Sequence, residues 1–157
     1  MTVAAEALEP RLIHADDGER YTIGASEVVF KNPLPGASSE WTIIEYTLEP
    51  HRPGALPHYH RELTETFYVL EGELCMRVGD QEMTATAGSL AVVAPGTTHG
   101  FRNDSDKPAR FLLHASGPQH KSFLLELFEL VRTSTVWPPA DPTAMKRLGE
   151  RYDTYYL

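Results

Sequence analysis

Short apolar runs separated by turn-forming residues fill most of this chain. Trp41–Leu48 (WTIIEYTL) is β-branched and aromatic and reads as a strand. Glu65–Leu70 and Glu73–Val78 are also strand-like and are joined at Glu71-Gly72. Gly79-Asp80-Gln81 predicts a tight turn, with Glu82–Thr86 returning; Ala87-Gly88 is another turn, before the short apolar strand Leu90–Ala94. Pro95-Gly96 turns the chain into an extended Thr98–Asn103, and Asp104–Pro108 is a polar turn before Arg110–Ala115. Upstream, Glu19-Arg20 leads into a first strand pair over Tyr21–Lys31, and Asn32–Ser39 reads as a loop. Short strands with turn signals roughly every 8–12 residues predict an all-β sandwich or barrel.

The period then changes. In Ser122–Arg132 (SFLLELFELVR), the apolar residues Phe123, Leu124, Leu127, Phe128, Leu130 and Val131 recur at helical spacing. Ser122 is the expected N-cap, and Arg132 suits the negative end of the helix dipole. Pro138-Pro139 breaks the pattern. Asp141-Pro142 then predicts a second helix over 142–152, capped by aspartate with proline in its first turn. The expected organisation is a polar arm over residues 1–20, a β body over 21–117 and a short helical tail over 118–157. That tail is expected to pack on the barrel or on a partner subunit.

Composition narrows the function classes. Of 157 residues, 41% are hydrophobic, too many for a disordered chain. No apolar run approaches the roughly 18–20 residues of a membrane helix. The first residues lack the basic end and apolar stretch of a secretion signal, and Cys75 is the only cysteine, so a cytoplasmic location is expected. The formal net charge is −8, and no Lys/Arg cluster exceeds two residues. Phosphate neutralisation needs a basic patch, so nucleic acid is excluded as an expected partner.

The candidate chemistry lies in His58-Tyr59-His60, Glu65 and His99. Side chains alternate along a strand, so His58 and His60 share one face. A hairpin brings Glu65 beside them, and His99 follows the Pro95-Gly96 turn. Three imidazole nitrogens and a carboxylate oxygen suit a divalent transition metal. His14, His51, His114 and His120 match no ligand spacing and are read as ordinary. Asn103 is read as a structural hydrogen-bonding residue. Phe67, Val69 and Phe101 share the ligands' parity and either line a pocket or form core. Of the alternating pair, Met76 is expected inward, and Cys75 is read as buried and inert.

Gly54-Ala-Leu-Pro-His58-Tyr-His60-Arg-Glu-Leu-Thr-Glu65, with six further residues to Gly72, resembles the first motif of the cupin superfamily. Gly88 through Pro95-Gly96-Thr-Thr-His99-Gly-Phe-Arg-Asn103 resembles its second. Two departures touch turns only: the first motif's leading glycine falls at Gly54, two residues late, and the second motif's proline at Pro95, one residue late. The resemblance implies a jelly-roll β-barrel, metal ligation by His58, His60, Glu65 and His99, and frequent homodimers. The aromatic end (Tyr152, Tyr155, Tyr156) offers a surface for a partner. One metal ion per chain is expected, with Fe, Mn, Ni, Co, Cu and Zn all open. The ligand set is similar to that of quercetinase-type dioxygenases, which implies a small-molecule substrate bearing an enol or phenol. In that comparison Glu65 is also the catalytic base. Two other readings stay open: a non-oxidative metal-dependent cyclase or isomerase, and a binding module without turnover.

Overall fold

A computed structural model describes residues 12–24, 26–31, 41–117, 119–134, 136–139 and 141–157. The expected loop 32–39 and the first part of the expected arm lie outside them. Two antiparallel sheets face each other. The first runs β1 (Glu19–Ile23), β2 (Ser26–Phe30), β3 (Trp41–Leu48), β11 (Ala109–Ser116), β6 (Glu65–Glu71), β9 (Leu90–Val93). The second runs β12 (Tyr155–Tyr156), β5 (His58–Tyr59), β10 (His99–Asn103), β7 (Glu73–Val78), β8 (Gln81–Thr86), with β4 (Arg52–Pro53) also on β10. The mostly-β architecture of the expected barrel is therefore present, followed by helices α1 (His120–Thr133) and α2 (Thr143–Glu150).

Period-two patterning decides which side chains meet between the sheets. Along β11, Ala109, Phe111, Leu113 and Ala115 are buried while their neighbours are half-buried. On β6 the buried set is Glu65, Phe67 and Val69, so a carboxylate sits on the core-facing parity. Rings of Phe67, Phe101, Phe111 and Tyr46 fill the centre, with Phe101 5.6 Å from Phe67 and 5.2 Å from Phe111. Met76 points inward as expected. Cys75 is half-buried rather than buried, because it occupies the outward parity of β7. Gly72 takes φ 71° in the β6–β7 turn, where a Cβ would lie 2.4 Å from the Pro108 carbonyl oxygen. Asn103 is fully buried; its Nδ2 donates to the carbonyls of Leu48, Glu49 and Lys107, which confirms a structural role.

The helices depart from expectation at their ends. Helix α1 begins at His120, so Ser122 lies inside it and is not the N-cap; Phe123 N already donates to Gln119 O at 2.9 Å. The first turn is drawn in early because His120 packs into the protein interior. Helix α2 stops at Glu150, short of 152. There Thr154 N donates back to Gly149 O, and Asp153 takes a left-handed φ of 58°. At its start, Pro142 occupies the N-cap position rather than the first turn, and the Asp141 carboxylate one residue earlier accepts from Thr143 N at 2.9 Å. Among the described residues, no helix is long and apolar enough to cross a membrane.

Candidate metal centre

The four sequence-predicted ligands come together from both sheets. His58 and His99 are paired neighbours on β5 and β10, His60 follows β5 directly, and Glu65 opens β6 across the sandwich. Their donor atoms all lie within 4.8 Å of one another, and all four side chains are buried.

The second nitrogen of each imidazole fixes what the first can do. His58 Nδ1 lies 2.7 Å from Leu56 O, His60 Nδ1 2.8 Å from Asp153 O, and His99 Nδ1 3.0 Å from Thr97 O. A carbonyl only accepts, so each Nδ1 carries its hydrogen, and each neutral ring presents a bare Nε2 lone pair to the centre. Glu65 adds a carboxylate oxygen: Oε2 is 2.6 Å from His99 Nε2 and 3.5 Å from His60 Nε2. His60 Nε2 is buried and without a hydrogen-bond partner. Four acceptors turned on one point repel each other unless a cation lies among them. The residues therefore fit a divalent metal, with three nitrogens and one oxygen as donors.

Charge balance supports that reading. Burial pushes the His58 imidazole down to about 3, with help from His99, so it is neutral and able to donate its lone pair. Burial alone would lower His60, but the Glu65 carboxylate, 3.5 Å from its Nε2, raises it instead. Burial pushes the Glu65 carboxyl upward, but its contacts with the His120, His60 and His99 rings outweigh burial and hold it well below its usual range. The cluster thus attracts positive charge.

Residues outside the expected ligand set also shape this centre. His120, expected to be ordinary, is 2% exposed, and its Nε2 lies 3.3 Å from Glu65 Oε1. Helical burial placed it there, and no ligand spacing marks it. Asp153 closes the segment between His60 and Glu65: its carboxylate accepts from Arg61 N, Glu62 N and Leu63 N at 2.9, 2.9 and 3.2 Å. Tyr156 packs 5.6 Å from the His58 ring, and Tyr155 stacks on Tyr59 at 5.1 Å. The aromatic end expected to meet a partner is engaged within the chain, as Tyr152 is with Glu126. Of the remaining histidines, His14 and His51 are exposed, His51 pairing with Asp106, and His114 packs on Trp41.

A cavity of about 440 Å³ opens from the centre. His58, His60, Glu65 and His120 line its polar end. Its walls are apolar: Ile44, Tyr46 and Leu113 from the first sheet, Phe101 from the second, and Phe123, Leu124, Leu127, Phe128 and Val131 from α1. Phe101 is thus a lining residue, whereas Phe67 and Val69 are core. The apolar stripe of α1 covers the cavity, which is why most of its residues are only half-buried.

Residues 44–114 match the family described as Cupin domain. The protein belongs to the cupin superfamily. A curated relative, quercetin 2,3-dioxygenase of Bacillus subtilis, is 27% identical over 106 residues, covering 67% of this chain and 31% of that protein. The chain thus spans about a third of the length of that relative. A cupin structure from Silicibacter pomeroyi, described as a sugar phosphate isomerase, is 26% identical, with TM-score 0.60 over 68% of this chain and 75% of that one. Pac13 of Streptomyces, solved with uridine, shares the fold at TM-score 0.54 and 16% identity, over 69% of this cupin and 83% of its own chain.

Proposed function

We propose that this cupin is a metal-dependent dioxygenase acting on a small molecule with an enol or phenol at one end and an apolar body. The observation that carries the reading is the form of the cavity: His58, His60, His120 and Glu65 lie at one end, and aromatic and aliphatic side chains make up most of the rest. In this reading His58, His60, Glu65 and His99 hold one divalent transition metal. A redox-active ion held there would supply Lewis-acid chemistry that acidifies an enol or phenol, and one-electron chemistry toward dioxygen. The chain's own residues do the rest. Glu65 takes the hydroxyl proton of the incoming substrate. Phe101, Leu124 and Phe128 hold the apolar body and keep water from the centre. The similarity to a quercetin dioxygenase supports the oxidative chemistry.

The sugar phosphate isomerase relative favours a non-oxidative reaction. The cavity weighs against a phosphorylated substrate, because Arg52 is the one Lys or Arg among its described lining residues. Oxygen uptake decides. Metal-free protein loaded in turn with Fe(II), Mn(II), Co(II), Ni(II) and Cu(II) is mixed with a flavonol, a catechol and a β-diketone. At least one combination is expected to consume oxygen and release a cleaved product. Absence of uptake in every combination overturns the dioxygenase, and turnover under argon favours the isomerase or cyclase. Ligand binding without chemical change leaves the binding module.

A further inference from the structure

We propose that His120 is a positioning residue that holds Glu65 as a one-oxygen ligand and so keeps a coordination position free on the cavity side. This rests on the metal reading above. The two oxygens of Glu65 have different neighbours. Oε2 faces His99 and His60, at 2.6 and 3.5 Å, whereas Oε1 faces His120 Nε2 at 3.3 Å. An ionised carboxylate only accepts hydrogen bonds, so the pair is attractive when His120 Nε2 carries the hydrogen. That tautomer leaves a bare lone pair at Nδ1, and Nδ1 is the atom of this ring with no partner. The opposite tautomer sets a lone pair against the carboxylate and buries an unpaired N–H, so it is the costlier of the two.

The consequence is geometric. A carboxylate with both oxygens free can bind an ion through either one or both. With Oε1 engaged by His120, Glu65 offers Oε2 alone to the point where three Nε2 atoms converge. His120 itself lines the cavity beside His58 and His60, so the position left free is the one a substrate oxygen or dioxygen reaches. His120 is also the first residue of α1, and the next turn supplies Phe123 and Leu124 to the cavity wall. One helix thus carries both the wall and the anchor of the carboxylate. Partners of this kind around a ligand govern affinity by about 10–100-fold.

The test uses Co(II), whose visible absorption is strong at four or five coordination and weak at six. Wild type, His120→Gln and His120→Leu are titrated with Co(II), with the fold of each metal-free protein checked by circular dichroism. The glutamine amide still donates toward Oε1, so its spectrum should match wild type and its affinity stay within about threefold. The leucine variant should bind Co(II) about 10–100-fold more weakly, with weakened absorption as the second oxygen joins the ion. A leucine variant equal to wild type in both readouts overturns the proposal. So does a glutamine variant as impaired as leucine, because ring packing would then be the cause. Should the leucine variant fail to fold, His120→Asn replaces it: its short amide does not reach Oε1, and a wild-type spectrum in it overturns the proposal. Wild-type protein that binds no Co(II) overturns the metal reading first, and this inference with it.

Discussion

Asp153 joins the C-terminal segment to the centre of the molecule, and its removal should be felt in both stability and metal affinity. The carboxylate accepts from three consecutive backbone N–H groups, at Arg61, Glu62 and Leu63, and these residues connect His60 to Glu65. Arg61 and Glu62 are exposed, so water replaces the lost acceptor there; Leu63 is buried, and water replaces it poorly. Taking about 0.5–1 kcal/mol for each exposed bond and about 1.5–2 for the buried one gives a loss of about 2.5–4 kcal/mol. Asp153 also sits at φ 58°, where alanine adds strain of its own, so Asp153→Gly is the cleaner perturbation and Asp153→Asn the control that keeps an acceptor. Melting should be followed in metal-free protein, since bound metal would stabilise the folded form by mass action. At this size, about 2–4 °C accompanies each kcal/mol, so the glycine variant should melt about 5–15 °C lower and the asparagine variant much less. Metal titration should show weaker binding in the glycine variant, because the spacing of His60 and Glu65 is no longer held. His60 Nδ1 bonds the backbone carbonyl of Asp153, so that contact survives in every variant and does not confuse the result. A glycine variant within about 2 °C of wild type would refute the latch. Unchanged metal affinity in a destabilised glycine variant would refute its link to the centre.

Replacing His58 and His60 together by alanine should abolish bound metal in elemental analysis; wild-type stoichiometry in the double variant would refute the ligand assignment. Leu124→Trp should fill part of the cavity and weaken binding of a flavonol-type probe by at least tenfold while metal content stays unchanged, as calorimetry can measure. Asn103→Ala leaves three carbonyls without their donor and should cost about 2–4 kcal/mol in urea unfolding, with no effect on metal binding. The Glu45 carboxyl, raised by burial but lowered more by Arg110 and Lys31, lies below its ordinary value in the folded protein. Its contribution is therefore present above the unfolded value of 4.5 and lost as pH falls through the folded one. Glu45→Gln should cost about 0.5–1 kcal/mol at pH 7 and nothing at the acid end of a urea titration.

The sequence makes the strands and the four clustered donors legible for the same reason: both depend on short-range spacing. Alternation in β3, β6 and β11 sets which residues face the interior, and the HxH pair obeys that rule, with Tyr59 turned outward onto Tyr155. Glu65 and His99 are one hairpin and one turn from their places. What spacing does not carry is how far the tail returns. His120 lies 55 residues beyond Glu65, and Asp153 lies 93 beyond His60, so their contacts depend on the path of α1 and α2 over the sheets. A lone histidine before a helix and an aspartate after one look like ordinary helix ends. Yet β12 pairs with β5 beside His58, and α1 walls the cavity that opens from the cluster. The barrel positions the four donors, whereas the tail supplies the hydrogen bonds that orient His60 and Glu65. Chemistry at such a centre depends on orientation as much as on ligand identity. Differences among cupins with one ligand set are therefore to be sought in segments outside the two motifs, and in this chain those segments are His120 with α1 and Asp153–Tyr156.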